Sequence, residues 1–327
     1  MPDWIGLDGS PTAERYLQMA ERSLHGISPT YEAICLGVAG DATMLTLLDT
    51  LPPAKRQPNL LLGAVRYLGA PVGTWPRFRE FALERWDGVA ATMASKRTQT
   101  NEPRRCTAFL LVLAALPQPL ALLEVGASAG LCLCPDRYAY RYTGAAGVHT
   151  LGAGPVELRC AASGAVPLPD ALPEVTWRAG LDLNPLDVTC DDDVRWLESL
   201  IWPEETDRFD TIRDAVEIAR ADPPRIVAGD LAGDVPLLAA QAPPDATLVV
   251  YHCAVLAYVD DAGRAAFADA VGALASARPT VWLSNEAPGV VPGTDIAPPG
   301  PSRFVLARDA RRLALAGPHG DTLDWLN

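Results

Sequence analysis

The sequence predicts an α/β protein: a doubly wound, mostly parallel sheet over residues 119–327, preceded by an all-helical domain or cap over residues 1–118. Three observations carry this expectation. The stretch Leu122-Leu123-Glu124-Val125-Gly126-Ala127-Ser128-Ala129-Gly130 reads as a buried strand, a tight turn and the opening of a helix through Leu131 and Leu133. Later apolar runs end in Asp182, Asp230, His252 and Glu286, a polar residue at the close of each strand. The first third of the chain instead repeats its apolar residues at spacings of three and four.

The helical part begins at Ser10-Pro11, a capping hydroxyl before a proline at the first helical position, and Gly26 closes that segment. Ser28-Pro29 repeats the signal, and further helices are predicted over residues 41–50, 59–68, 76–87 and 104–116. The polar stretch Thr98 to Arg105 has two readings: a helix start capped by Asn101 or Glu102 with Pro103 in the first turn, or a loop over the mouth of a pocket.

Beyond Gly130, Tyr138, Tyr140 and Tyr142 alternate as in a strand, with packing as their expected use. Residues 143–174, rich in Gly, Ala and Pro, read as an insertion carrying a small hairpin over Val156 to Ala165. The parallel pattern resumes at Val175–Asp182, with helices around Trp196 to Ile201 and from Thr206 to Arg220. Strands then follow over Arg225–Asp230, Thr247–Cys253 and Thr280–Glu286, and more near the C-terminus.

With 327 residues, 49% hydrophobic and 20% charged, the chain can bury a sizeable core. Its formal net charge of -13 argues against a nucleic-acid partner, because phosphate backbones are bound by clustered Lys and Arg. The apolar run Cys106 to Leu116 is too short to span a bilayer, and Met1-Pro2-Asp3-Trp4 does not open a secretory signal, so a cytoplasmic protein without a membrane partner is expected. Seven cysteines, an odd number with no C-x-x-C pair, and four histidines, none spaced like a ligand pair, predict neither a disulfide framework nor a metal site.

The glycine spacing narrows the ligand. A dinucleotide fold uses G-x-G-x-x-G to cradle a pyrophosphate, whereas here Ala127-Ser128 stands where the second glycine belongs, which makes a dehydrogenase a distant reading. The alternative of an ordinary strand-to-helix turn in another α/β protein stays open. E-x-G-x-x-x-G resembles motif I of class I S-adenosylmethionine-dependent methyltransferases. Across about residues 118–327 the order of strand-end residues resembles that Rossmann-like, seven-stranded fold, with two departures: the long insertion before Asp182 and no acceptor-specific motif after the fourth strand.

The resemblance implies S-adenosylmethionine as cofactor, held by Glu124, Gly126, Ala127, Ser128, Gly130, Asp182, Leu183, Asp230 and Leu231, with Asp182 toward the ribose and Asp230 toward the adenine amine. His252 and Glu102 are the catalytic candidates, and Asn101, Tyr251 and Glu286 the substrate contacts. For His252 the roles of general base, core histidine and cofactor contact all remain open. The implied partner is a small-molecule methyl acceptor. The rival reading is a non-catalytic methyltransferase-like module that binds a ligand or another protein. The wider chain also resembles the bacterial domain of unknown function 2332 family, through Thr98 to Glu102, Leu123 to Tyr142, Gly180 to Val188, Arg195 to Pro203 and Tyr251 to Tyr258.

Overall fold

The computed structural model describes residues 11–297 and 303–326; Ser10, expected as a helix cap, and the Met1 to Trp4 start lie outside the described residues. The chain divides into two compact units, one of residues 2–100 and 190–210, the other chiefly of residues 101–189 and 211–327. The boundary therefore falls at residue 100 instead of 118, and a second segment from beyond the first strands joins the helical unit.

The helical unit contains α1 (Thr12–Gln18), continued by a π-helical turn over Met19–Leu24, then α2 (Pro29–Ala39), α3 (Ala42–Asp49), α4 (Pro58–Tyr67), α5 (Trp75–Glu84) and α6 (Trp86–Ser95). Ser28, the expected cap of α2, accepts the backbone N–H of Tyr31, and Asp41 caps α3 by accepting that of Met44. The late segment Asp191–Ser199 joins this unit for a packing reason. Trp196 is fully buried, meets Tyr67 edge-on at 5.7 Å and donates its indole N–H to the Arg97 carbonyl at 2.9 Å. Gly63 makes room for it, since a Cβ there would lie 2.9 Å from Leu200 and 3.3 Å from Trp196.

The second unit opens with α7 (Cys106–Leu113), buried along its whole length. The strands follow as β1 (Leu120–Val125), β2 (Ala139–Gly144), β3 (Gly147–Leu151), β4 (Glu157–Ser163), β5 (Val175–Asp182), β6 (Arg225–Ala228), β7 (Thr247–Cys253), β8 (Thr280–Glu286), β9 (Phe304–Arg308), β10 (Arg311–Ala316) and β11 (Thr322–Trp325). They form one sheet in the order β3-β2-β4-β11-β10-β9-β8-β7-β1-β5-β6. Among the described residues the expectation of seven strands is corrected to eleven. The sheet is mixed and largely parallel: β6, β5, β1, β7 and β8 run parallel, and β9 turns antiparallel against β8.

Two local expectations also change. Residues 143–174 do not form a hairpin over Val156 to Ala165; β2 and β3 make the hairpin, β4 lies parallel to β2, and β4 pairs with β11 to extend the sheet. No α-helix follows Gly130. The chain instead takes two 3-10 turns, Leu131–Leu133 and Pro135–Arg137, because Pro135 lacks an N–H and the tyrosines beyond it enter β2. Tyr138, Tyr140 and Tyr142 are all buried, their hydroxyls donating to the carbonyls of Leu131, Pro135 and Thr107.

β1 and β7 are buried at every position, as expected of central parallel strands covered on both faces. After β1 and the excursion through β2–β4 at the far edge of the sheet, the chain returns to β5 and β6 on one side of β1, then crosses to β7 and β8 on the other. The carboxyl ends of β1 and β7 thus flank a topological switch point, where open α/β sheets form a crevice.

Candidate functional site

The turn after β1 is held by backbone geometry. Gly126, Ser128 and Gly130 have φ of 71°, 53° and 76°, all left-handed, which glycine adopts freely and serine does not. Hydrogen bonds fix the turn: Gly126 N–H donates to the Leu181 carbonyl at 2.7 Å, and Ala127 N–H to the same oxygen at 3.2 Å. Ser128 N–H donates to Asp182 Oδ2 at 2.8 Å, while Asp182 Oδ1 accepts Asn184 N–H at 2.8 Å. Asp182 therefore clamps the turns after β1 and β5 together. Leu183 beside it is exposed.

The glycines serve packing as much as conformation. A Cβ on Gly126 would lie 2.2 Å from Val255 Cγ2, and one on Gly130 would lie 2.7 Å from Pro224 Cγ. The space expected to admit a ligand against Gly126 is taken by the Val255 side chain. The helix start expected at Gly130 is likewise absent, and with it the dipole argument for an anion; Gly130 N–H donates to the Ala127 carbonyl at 2.7 Å.

Asp230 is exposed and caps its own loop, its Oδ1 accepting the N–H groups of Ala232 at 2.9 Å and Gly233 at 3.3 Å. Leu231 is buried beside it.

On β7 and β8 the strand register sorts the polar residues by face. Glu124 pairs with Tyr251, and Cys253 with Asn285, on one face; Val125 pairs with His252 and His252 with Ser284 on the other. Tyr251 is buried, donates its hydroxyl to the Cys132 carbonyl at 3.0 Å and meets Phe109 edge-on. His252 is fully buried between two partners: its Nε2 accepts the indole N–H of Trp282 at 2.9 Å, and its Nδ1 lies 2.7 Å from Glu286 Oε1. Accepting at Nε2 places the ring proton on Nδ1, from which it is donated to Glu286. The same Oε1 also accepts Val255 N–H at 2.8 Å and Leu256 N–H at 3.1 Å. Both ring nitrogens are occupied, so the geometry makes His252 a residue that positions Glu286 and not an exposed base.

The polar stretch before α7 joins this edge. Asn101 Oδ1 accepts Leu131 N–H at 2.8 Å, Cys132 Sγ donates to the Glu102 carbonyl at 3.3 Å, and Glu102 Oε1 accepts Arg104 N–H at 3.1 Å. The helix-start reading of the stretch holds, with Glu102 capping the 3-10 turn Pro103–Arg105, and Asn101 fastens the turn that follows β1. Next to it is Arg105, which sequence reasoning missed. It is 7% exposed, and its Nε donates to the Pro318 carbonyl at 3.0 Å. Burial opposes its charge, yet Cys253, Cys132, Glu102 and Glu286 around it hold its pKa above the ordinary arginine value. The signal that points to it is an arginine at the start of an apolar helix, where a cation is unfavourable beside the positive end of the helix dipole unless acids surround it.

Burial raises the Glu124 carboxyl well above the usual carboxylate range, with Arg105 opposing and Asp182 adding to the rise. Burial also pushes the Cys253 thiol up to about 12. Four buried side-chain atoms at this edge have no hydrogen-bond partner: Glu124 Oε2, Ser128 Oγ, Asn285 Oδ1 and Glu286 Oε2. Among the described residues the others are Tyr16 and Arg278, so the deficit concentrates at the ends of β1 and β8. Buried polar atoms are nearly always partnered, and the exceptions call for a ligand or another explanation.

Among the described residues no group of His, Cys, Asp or Glu is arranged to hold a metal ion, and no single helix is long and apolar enough to cross a membrane. No curated protein and no solved structure matches the chain. A family model described as an uncharacterized protein conserved in bacteria matches residues 13–325, nearly the whole chain. By that match the chain belongs to the DUF2332 family.

Proposed function

We propose that the chain is an S-adenosylmethionine-dependent methyltransferase acting on a small-molecule acceptor at the carboxyl edge of β1, β7 and β8. The observation that carries this reading is Glu124 Oε2, a buried carboxylate oxygen without a partner, two residues before the left-handed Gly126. An ammonium group is the natural partner for such an oxygen, and the cofactor carries one. The β6-β5-β1-β7-β8 order supports it, because the switch point falls beside that carboxylate.

The residues fit the cofactor in part. Glu124 and Ser128 offer unpartnered atoms, and half-buried Asp182 keeps lone pairs beyond the two N–H groups it accepts. The cofactor supplies an electrophilic methyl on sulfur. The chain's own contribution is to hold the acceptor in line with it, which can account for much of the acceleration. In this reading Glu286 faces the acceptor, and His252 with Trp282 fixes the orientation of its carboxylate.

Val255 favours a second reading, a ligand-binding module without turnover, since its side chain fills the hollow against Gly126. Calorimetry with S-adenosylmethionine tests the first reading, and turnover of the bound cofactor separates it from the second. Saturable binding that weakens at least tenfold in Glu124→Gln supports the first, and the absence of binding to the wild type refutes it.

A further inference from the structure

Resting on the reading above, we infer that Val255 is an autoinhibitory side chain: it occupies the cofactor's place against Gly126, and a rotation at residues 254–255 withdraws it to admit S-adenosylmethionine. Gly126 has no side chain and a left-handed φ of 71°, the two properties that let a ligand lie directly on the main chain. A side chain lies there instead. A Cβ on Gly126 would collide with Val255 Cγ2 and lie 3.1 Å from its Cγ1 and 3.2 Å from its Cβ, so the branched end of the valine covers the glycine.

The surroundings confine any movement to two residues. β7 is buried to its end at Cys253, and beyond the valine Leu256 is 1% exposed, with its carbonyl accepting Arg264 Nε at 2.8 Å. Ala254 and Val255 between them are half-buried. Ala254 has a left-handed φ of 56°, strained for a residue with a Cβ, and such strain gathers at sites that switch. Two bonds hold the pair: Ala254 N–H donates to the Asn285 carbonyl at 3.1 Å, and Val255 N–H to Glu286 Oε1 at 2.8 Å. The second is the latch. Releasing it costs Glu286 little, because Oε1 keeps the His252 ring and the Leu256 N–H, and the freed Val255 N–H lies where water can reach it. Relief of the Ala254 strain offsets part of the cost. The cofactor then binds the withdrawn state alone and draws the chain into it.

The test is calorimetry with S-adenosylmethionine on the full chain, as wild type, Val255→Ala and Val255→Ile, together with amide hydrogen exchange at Val255 with and without the cofactor. Val255→Ala removes both γ-methyls from the space over Gly126 and should bind at least about tenfold more tightly than the wild type. Val255→Ile should bind more weakly. In the wild type, saturating cofactor should speed exchange at the Val255 amide severalfold and leave the Leu256 amide protected, whereas a ligand settling on a rigid turn would slow both. Equal or weaker binding by Val255→Ala overturns the inference, and so does slower exchange at Val255 in the complex. The exchange measurement needs only the wild type, so it decides the matter if Val255→Ala does not fold. Should neither protein bind, the methyltransferase reading falls and takes this one with it; should both bind alike, only this one falls.

Discussion

The imidazole of His252 and the carboxylate of Glu286 form one buried unit, with Nδ1 and Oε1 2.7 Å apart and Trp282 donating to Nε2 from the other side. In this arrangement the histidine orients the acid. Trp282→Phe removes one donor and leaves Nε2 unpartnered in the core, which costs about 1–3 kcal/mol. Urea denaturation should show this as a lower midpoint with unchanged slope. A variant as stable as the wild type would mean that Nε2 finds another donor.

Asp182 joins two turns through its two oxygens, accepting from Ser128 and Asn184. Asp182→Ala should destabilise the chain by about 1–2 kcal/mol, as loss of a capping acceptor does. The effect should be local: hydrogen exchange at the Ser128 amide should accelerate more than at the β1 amides. Uniform acceleration across the sheet would contradict the clamp.

Gly126→Ala faces two separate obstacles, a left-handed φ of 71° and a 2.2 Å approach to Val255 Cγ2. Pairing it with Val255→Ala removes the collision and leaves the conformational penalty of about 1–2 kcal/mol. The double variant is therefore expected to be more stable than the sum of the two single changes predicts. Simple additivity in denaturation midpoints would show that Val255 does not occupy that space.

The Glu124 carboxyl has a raised pKa because burial disfavours its anion, Arg105 only partly offsetting this. The folded state then holds the proton more tightly than the unfolded state. Stability from this group is complete below the ordinary glutamate value of about 4.3 and is lost as pH rises toward the raised folded value. Glu124→Gln should flatten that decline and gain about 1–3 kcal/mol at neutral pH. Thermal melts of both proteins from about pH 4 upward provide the check; parallel profiles would exclude Glu124 as the titrating group.

Cysteine reactivity should follow burial. Cys190 is exposed and the other six cysteines are buried, with burial pushing Cys160 up to about 11 and Cys253 to about 12. Iodoacetamide at pH 8 should modify Cys190 alone in the folded chain, since the thiolate is the reactive form. Rapid labelling of Cys132 or Cys253, read by peptide mass spectrometry, would reveal opening of the edge beside Arg105.

By itself the sequence determined what local pattern can determine: the cap at Ser28, the helix that begins near Asp41, the buried strand running into Val125, the strand over Thr247–Cys253, and the strand-to-turn step at Gly126. Periodicity and glycine placement are properties of a few neighbouring residues, so they are visible without a partner. Pairing between distant segments was decided only by tertiary structure. Nothing near residues 139–163 announces that β4 will meet β11, and so the sheet has eleven strands. Nothing near Asp191 announces that Trp196 will be buried against Tyr67 in the helical unit. The same holds for the candidate site. Glu124, His252 and Glu286 were legible as strand-end residues, but their chemistry depends on where each oxygen and nitrogen finds a donor. That was settled by Trp282 behind His252, Val255 against Gly126, and Arg105 arriving from a segment outside the strand pattern.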